Sequence, residues 1–174
     1  MTAFALFALL AASAMASDAD ICRGNDRDLD ELIAVCSRVI ASRASTHDEV
    51  SSAYIDRGQH HYQKMEYDLA IADFDQAISM KAKWLQLAYE DRGNVYFARG
   101  EDQLAIESYT KALELYPNYP GAYTARGLLY EKAGETDKAR ADYQSALTVA
   151  DSHFSDDGWA RQTARERLDK LKTK

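Results

Sequence analysis

The chain has 174 residues, a length that suits one compact domain or one short array of repeats. Its composition is 47% hydrophobic, with two prolines and eight glycines, which allows a packed core and excludes collagen-like or long disordered stretches. The formal net charge is −7, the wrong sign for binding nucleic-acid phosphates or anionic lipid. We therefore predict no nucleic-acid partner, and expect a soluble protein or one with a basic partner.

The N-terminal residues differ from the rest of the chain. Residues 4–15 are almost continuously apolar, and the run ends in Ala14-Met15-Ala16 before the chain becomes acidic. This layout predicts a secretory signal peptide over residues 1–16, although no Lys or Arg precedes the apolar run. The alternative is an uncleaved anchor, but the run is shorter than the roughly 20 apolar residues of a spanning helix. We expect an exported protein, periplasmic or secreted, with no stable membrane span.

The chain contains two cysteines, Cys22 and Cys36. An even number in an exported chain favours a disulfide, and closing so short a loop stabilises by about 3 kcal/mol in the chain-entropy model. The alternative is two reduced thiols, with Cys36 buried as a small hydrophobic residue. Two cysteines without a nearby histidine provide too few ligands for a metal, so we predict no metal site. We also expect no cofactor.

A pattern of small and aromatic residues occurs three times, at a spacing of about 34 residues. The markers are Gly58, Ala70, Phe74 and Ala77 in the first copy, Gly93, Ala105, Tyr109 and Ala112 in the second, and Gly127, Ala139, Tyr143 and Ala146 in the third. In the second copy, helical spacing predicts one helix from near Leu85 and another from Asp102 to Leu115. Gly100 separates them at a turn that needs a positive φ, and Pro117 ends the second helix.

The markers have physical roles within such a unit. Gly93 and Ala105 are small because the two helices of the unit cross there. Tyr109 is large because it fills the gap toward the neighbouring unit. One copy departs from the pattern, since Met65 stands where the other two have Gly100 and Gly134. We expect a cost of about 1 kcal/mol if Met65 keeps the left-handed turn.

These positions resemble the tetratricopeptide repeat family, whose two-helix units carry small, aromatic and proline markers in this order. The resemblance implies an all-α fold, a right-handed α-solenoid of helix-turn-helix units with an N-terminal half repeat and a C-terminal capping helix. It places the repeats at 51–85, 86–119 and 120–153. The marker residues are then packing residues, so they indicate the fold and not the partner.

The two flanking segments are predicted to cap the array, because solenoids need polar-backed ends to stay soluble. Residues 17–50 contain a degenerate half repeat, in which Asp28 to Ser42 forms one helix and a disulfide ties the preceding chain across it. Residues 154–174 form a capping helix from Asp156 to Lys172. Its predicted inward-facing residues are Trp159, Ala160, Ala164, Leu168 and Leu171.

In this family, the groove lined by the first helices of the repeats usually receives a peptide. The matching candidates are Ile55, Gln59 and Tyr62 in the first repeat, Glu90, Asn94 and Phe97 in the second, and Thr124, Leu128 and Glu131 in the third. Aromatic residues in a groove can be binding hot spots. The alternative for Tyr62, Phe97 and Leu128 is packing between adjacent helices.

One type of family member clamps a C-terminal carboxylate with Lys and Asn side chains on these helices. The matching positions here carry Ile55, Gln59, Asp91 and Ala125. The clamp is therefore absent, and we predict no recognition of chaperone tails. A mixed acidic and apolar groove favours a neutral or basic amphipathic peptide.

Two further groups of residues are interpreted as structural. The arginines before the three glycines are Arg57, Arg92 and Arg126, and the facing helices carry Asp73 and Asp142. Ion pairs within a repeat explain these arginines without an anionic ligand. The adjacent residues His60 and His61 lie about 100° apart on a helix and are not expected to share a metal.

The sequence contains no local signature of a catalytic site, whether a Ser-His-Asp or Cys-His grouping, a phosphate-binding loop or a zinc-protease motif. We therefore predict no enzyme activity. The leading hypothesis is a non-catalytic scaffold that binds a protein or peptide segment in its groove. The alternative is a structural subunit of a cell-envelope assembly, packed through its convex face or edges. The partner's identity and the oligomeric state stay open.

Overall fold

The computed structural model describes residues 18–25, 27–81, 83–150 and 157–172. All regular structure in these residues is helical, which confirms the predicted all-α class. The predicted signal peptide over 1–16 lies outside the described residues. The longer helices are α1 (Leu29–Ala41), α2 (His47–Gln63), α3 (Tyr67–Met80), α4 (Leu85–Arg99), α5 (Asp102–Leu115), α6 (Pro120–Lys132), α7 (Thr136–Thr148) and α8 (Asp157–Lys172).

Local capping chemistry explains where several helices begin. α1 follows Asp28, whose carboxylate accepts a hydrogen bond from the amide of Asp30 at 2.9 Å. α2 begins with a capping box, in which the side chains of Thr46 and Glu49 each accept from the other's amide. The amide of Thr46, and then its hydroxyl, donate to the Glu49 carboxylate and lower the pKa of Glu49. α6 begins at Pro120, whose ring fixes φ for a first helical position.

The turn between the two helices of a repeat has one conformation in all three copies. Met65, Gly100 and Gly134 have φ values of 60°, 75° and 78°. The residue after each donates its amide to a carbonyl five residues back, as Glu101 does to Tyr96 at 2.9 Å. Met65 therefore keeps the left-handed turn predicted at Gly100, without the conformational freedom of glycine.

The chain divides into two compact units, one up to Ala88 and one from Tyr89 onward. In the first unit, α1 packs on α2 and α2 packs on α3. In the second unit, α5 packs on α6, α6 packs on α7, and α8 packs on both α6 and α7. Within each unit, helices that follow one another in sequence therefore pack together, as in stacked helix-turn-helix repeats.

The N-terminal half repeat is closed by the predicted disulfide between Cys22 and Cys36. Residues 18–22 are helical, so a short helical turn rather than extended chain is tied to α1. The guanidinium of Arg38 also donates to the Asp18 carboxylate, at 3.0 and 3.1 Å. Both cysteines belong to a buried cluster that includes Val35, Val39 and Ala53.

In each repeat, an aromatic ring of the second helix lies directly on a glycine of the first. The pairs are Gly58–Phe74, Gly93–Tyr109 and Gly127–Tyr143. A Cβ atom on Gly93 would lie 2.8 Å from the Tyr109 ring, closer than such contacts occur. The ring of the same repeat, and not helix crossing alone, therefore requires glycine. Tyr109 also reaches the next repeat, in a buried cluster with Tyr119, Ala122 and Leu129.

Two of the three repeated arginines form buried ion pairs within their own repeat, as the sequence predicted. Arg57 donates two hydrogen bonds to Asp73, at 2.8 and 2.6 Å, and Arg126 donates two to Asp142, both at 2.8 Å. The side chains of both aspartates are nearly inaccessible. Hydrogen bonding to Asp73 raises the pKa of Arg57, as expected for a charge-assisted pair.

The second repeat replaces this aspartate with a serine. The Nε of Arg92 donates to the hydroxyl of Ser108 at 3.3 Å, and Ser108 is fully buried. The guanidinium of Arg92 also lies 5.3 Å from the ring centroid of Tyr89 and 5.9 Å from that of Tyr96. Arg92 thus lies beside two aromatic side chains, although a serine stands where the other two repeats have an aspartate.

The C-terminal helix α8 covers the last repeat through small residues. Ala160 and Ala164 are fully buried, and Leu171 is nearly so. The prediction that Trp159 faces inward is wrong, because its side chain is 55% exposed. The buried stripe of this helix is narrow, and Trp159 lies just outside it. Among the described helices, none combines the length and apolarity needed to cross a membrane.

Replacing Met65 with glycine is expected to stabilise the protein by about 1 kcal/mol, because a side chain in the left-handed region costs that order of energy. Met65 is 75% exposed, so little apolar burial is lost. Urea denaturation measures the change. The control is Gly100→Ala at the equivalent turn, which should destabilise the chain. A loss of stability in Met65→Gly would contradict the strain at this turn.

Replacing Asp142 with asparagine is expected to destabilise the protein by about 3 kcal/mol, because it leaves the Arg126 guanidinium without its charge partner in a buried site. The matched control is Asp137→Asn, which removes an ion pair with Arg140. In that pair the Asp137 side chain is 98% exposed. Exposed ion pairs contribute little, so this variant should unfold close to the wild-type midpoint. Equal losses in the two variants would contradict the structural role of Arg126.

Candidate functional site

The nine predicted groove residues lie on α2, α4 and α6, one set of three on each helix. Those of α2 belong to the first unit. Ile55 is only 4% exposed and cannot offer a surface to a partner, which corrects its assignment as outward-facing. Gln59 is half-buried. Tyr62 is also half-buried, and its ring centroid lies 6.0 Å from that of Tyr67.

The α4 residues, in the second unit, form a connected polar and aromatic group. The hydroxyl of Tyr109 donates to the Oδ1 atom of Asn94 at 2.8 Å. The Nδ2 atom of Asn94 donates to the Glu90 carboxylate at 2.6 Å. The two contacts fix which way the amide faces, since one needs an acceptor and the other a donor. Phe97, one turn further along α4, is 43% exposed.

The α6 residues are mostly covered by α8. Thr124 is fully buried and its hydroxyl donates to the carbonyl of Ala160 at 3.1 Å, which corrects its assignment as outward-facing. Leu128 packs on the buried cluster between α7 and α8. The Glu131 carboxylate accepts a hydrogen bond from the hydroxyl of Tyr143 at 2.8 Å and pairs with Arg167 of α8 at 3.6 Å. The capping helix therefore occupies much of the face that a peptide would need.

The candidate site is thus narrowed to Glu90, Asn94 and Phe97, which we call the α4 surface. The sequence did not reveal that the marker residue Tyr109 holds Asn94 in place. The signal for it was the choice of tyrosine over phenylalanine at this marker, because a buried phenol needs a hydrogen-bond partner. Tyr143 shows the same arrangement with Glu131.

The two adjacent histidines make separate structural contacts. A ring nitrogen of His60 donates to the carbonyl of Cys22 at 2.9 Å, whereas His61 contacts the Glu66 carboxylate at 2.7 Å. Hydrogen bonding to His61, and then to Lys64, lowers the pKa of Glu66. Across the described ranges, no cluster of three or more His, Cys, Asp or Glu side chains is arranged to hold a metal ion.

Paired helices with a ring-on-glycine contact in each pair give the chain a helical repeat architecture. Residues 93–134 match the TPR repeat profile and residues 120–153 match the tetratricopeptide repeat profile. The two matches together span residues 93–153, and over this part the chain is similar to tetratricopeptide repeats. No curated protein sequence matches the chain closely enough to count as a relative.

Several solved structures share this fold. A crystal structure of MamA protein is 28% identical over 68% of this chain, with a TM-score of 0.59. The chain spans only 62% of that protein's length. The first TPR domain of Spaghetti (RPAP3), bound to the HSP90 peptide SRMEEVD, is 19% identical, with a TM-score of 0.61 over 72% of this chain and 93% of that one.

Another RPAP3 domain of solved structure is also similar to this chain. The second TPR domain of human RPAP3, in complex with the HSP70 peptide SGPTIEEVD, is 22% identical. It has a TM-score of 0.61 over 74% of this chain and 100% of that one. At this level of identity the likeness to both RPAP3 domains establishes the fold alone.

Removing the Tyr143 hydroxyl should change how stability depends on pH. Burial, and then the hydrogen bond to Glu131, raises the pKa of Tyr143 above that of an unfolded tyrosine, about 10. The stability that the protonated phenol contributes is therefore present below pH 10 and is lost as the pH rises further. At pH 7, Tyr143→Phe should be less stable than wild type by about 1 kcal/mol.

Above about pH 10, the difference in stability between wild type and Tyr143→Phe should narrow. Only the wild type contains the phenol whose raised pKa makes stability fall as the pH rises. Urea denaturation of both proteins at pH 7 and near pH 11 measures it. A gap that stays constant over this range would show that burial does not hold the phenol protonated.

Proposed function

We propose that the protein is an exported, non-catalytic scaffold that binds a segment of a partner protein on the α4 surface. The observation that carries this proposal is the Asn94 amide, held by the buried Tyr109 hydroxyl beside the exposed ring of Phe97. A polar group with a fixed orientation next to an exposed aromatic ring is typical of a binding surface. The polar group fixes the orientation of the bound segment, and the aromatic ring supplies apolar contact.

The Asn94 amide has hydrogen-bonding capacity beyond its two internal contacts. An amide carries two N–H donors and two acceptor lone pairs, and Tyr109 and Glu90 engage one of each. The remaining donor and acceptor match the carbonyl and amide of a peptide backbone. An amide that is already oriented loses little entropy on binding, which favours affinity.

The charge of the α4 surface indicates which peptides it would take. Glu90 and Asp91 are adjacent and both half-buried, and the whole chain carries a net charge of −7. An acidic surface favours a neutral or basic segment and repels a carboxylate. The RPAP3 domains bind peptides that end in EEVD, but here Gln59, Asp91 and Ala125 replace the carboxylate clamp. We therefore propose a neutral or basic segment with an apolar side chain for Phe97.

Export is supported by two features of the chain. The sequence begins with a signal-like segment that ends at Ala16. The disulfide between Cys22 and Cys36 is of the kind that forms and persists in oxidising compartments. Cell fractionation with N-terminal sequencing of the recovered protein tests this part, and an intact N-terminus in the cytoplasmic fraction would contradict it.

The binding proposal is tested with peptides of about ten residues selected from a random display library and measured by calorimetry. Phe97→Ala and Asn94→Ala should each weaken binding by about tenfold, the effect expected for a residue at the centre of an interface. The matched control is Leu104→Ala, which removes an apolar side chain of similar exposure from α5.

Selected peptides should be neutral or basic, and SRMEEVD should show no measurable binding. Equal affinity of the Phe97→Ala variant and the wild type, or equal losses in Phe97→Ala and Leu104→Ala, would contradict the α4 surface as the binding site.

A further inference from the structure

The turn of the first repeat has an exposed apolar side chain at a position whose left-handed backbone conformation favours glycine. Met65 has a φ of 60°, and 75% of its side chain is exposed. Leu69 follows it on the first turn of α3 and is 53% exposed. Neither side chain adds to the core, and glycine at position 65 would relieve the backbone.

Leu69 and Met65 begin a continuous uncharged line along the outside of α3. It consists of Met65, Leu69, Ala72, Gln76 and Ser79, and all of them except Met65 lie on α3. These positions alternate between intervals of four and three residues, so they share one side of the helix. All five are exposed. We call this line the α3 face. Its spacing is that of a seam on which another helix packs.

The other two repeats show that this feature is not a requirement of the fold. In the second repeat the same positions are Gly100, Leu104, Glu107, Lys111 and Glu114. There, three of the five are charged, and Lys111 pairs with Glu114 at 2.7 Å. In the third repeat they are Gly134, Lys138, Ala141, Ser145 and Thr148. Only the first repeat is uncharged along the whole line and has a large side chain at the turn.

We propose that the α3 face is a docking surface for a helix of another protein, separate from the α4 surface. The small residues Ala72 and Ser79 allow a helix to approach closely, and Met65 and Leu69 supply the apolar contact. Methionine suits this position because its unbranched side chain adapts to a partner.

Charge indicates the chemistry of the partner helix. The exposed residues Asp68 and Asp75 flank the α3 face, and α3 contains no Lys or Arg. A helix with apolar residues at the same three- and four-residue spacing and with Lys or Arg beside them is complementary to this arrangement. A second copy of this chain is not, because a symmetric pairing of two α3 faces would bring aspartates together.

The test uses the full chain labelled with ¹³C at its methionine methyl groups and a synthetic helical peptide of about three heptads. The peptide has Leu and Ala along its seam and Lys beside it, and a control peptide has Glu in place of Lys. The Lys peptide should shift the Met65 methyl signal. The Glu peptide should leave that signal unchanged.

Variants separate the α3 face from general charge attraction. Leu69→Asp should abolish binding of the Lys peptide, whereas Leu104→Asp, at the equivalent position of the second repeat, should leave it within about twofold. Met65→Gly should weaken binding by about tenfold, the loss expected for one well-packed apolar side chain. Phe97→Ala should have no effect, which distinguishes this surface from the α4 surface.

Three results would overturn the proposal. One is an unshifted Met65 methyl signal in the presence of the Lys peptide. Another is an equal loss of binding in Leu69→Asp and Leu104→Asp. The third is a shift of the Met65 methyl signal with protein concentration alone, which would assign the face to a second copy of the chain. Because Met65→Gly is expected to stabilise the fold, weaker binding by that variant cannot be attributed to unfolding.

Discussion

The fold depends on one contact that each repeat makes within itself, an aromatic ring lying on a glycine. The ring fills the space that a Cβ atom would occupy, so the two helices of the repeat can approach only if the glycine is present. Dense packing of this kind tolerates little change in volume, which is why the pair recurs as a unit. Residues beyond it, such as Tyr119 and Leu129 beside Tyr109, extend the same cluster into the next repeat.

In the second unit, this contact also connects the core to the surface. The hydroxyls of Tyr109 and Tyr143 extend past the glycines and donate to Asn94 and Glu131, which are candidate groove residues. A buried phenol needs a partner, and its partner gains a fixed orientation in return. Phe74 has no hydroxyl, so the first repeat lacks this support. The structural markers and the candidate site are therefore parts of one arrangement.

Differences between copies of the repeat carry the information that their shared features do not. The aspartate that pairs with arginine in two copies is Ser108 in the other, and the turn glycine is replaced by Met65 in the first. Packing explains what is common to the copies, so a departure that adds no packing indicates another constraint. Met65 is the clearest case, because it is exposed and its backbone conformation favours glycine.

The sequence by itself determined the elements whose causes are local or periodic. Helical spacing and the turn glycine predicted α5 from Asp102 to Leu115, and the structure has the same bounds. The even number of cysteines, in a chain expected to be exported, also predicted the disulfide between Cys22 and Cys36. These features depend on residues that are close in sequence or repeated at a fixed interval, so a single sequence is sufficient to predict them.

Tertiary structure alone decided which candidate surfaces are open. Ile55 and Thr124 occupy the same position in their repeats as Glu90, yet both are buried and Glu90 is only half-buried. Thr124 is covered by α8, a helix more than thirty residues away in sequence, and Trp159 of that helix is left exposed. The position in the repeat determines where on the helix a residue lies. Whether its side chain is buried depends on which other helices pack over it, and the spacing of residues within one repeat does not predict that.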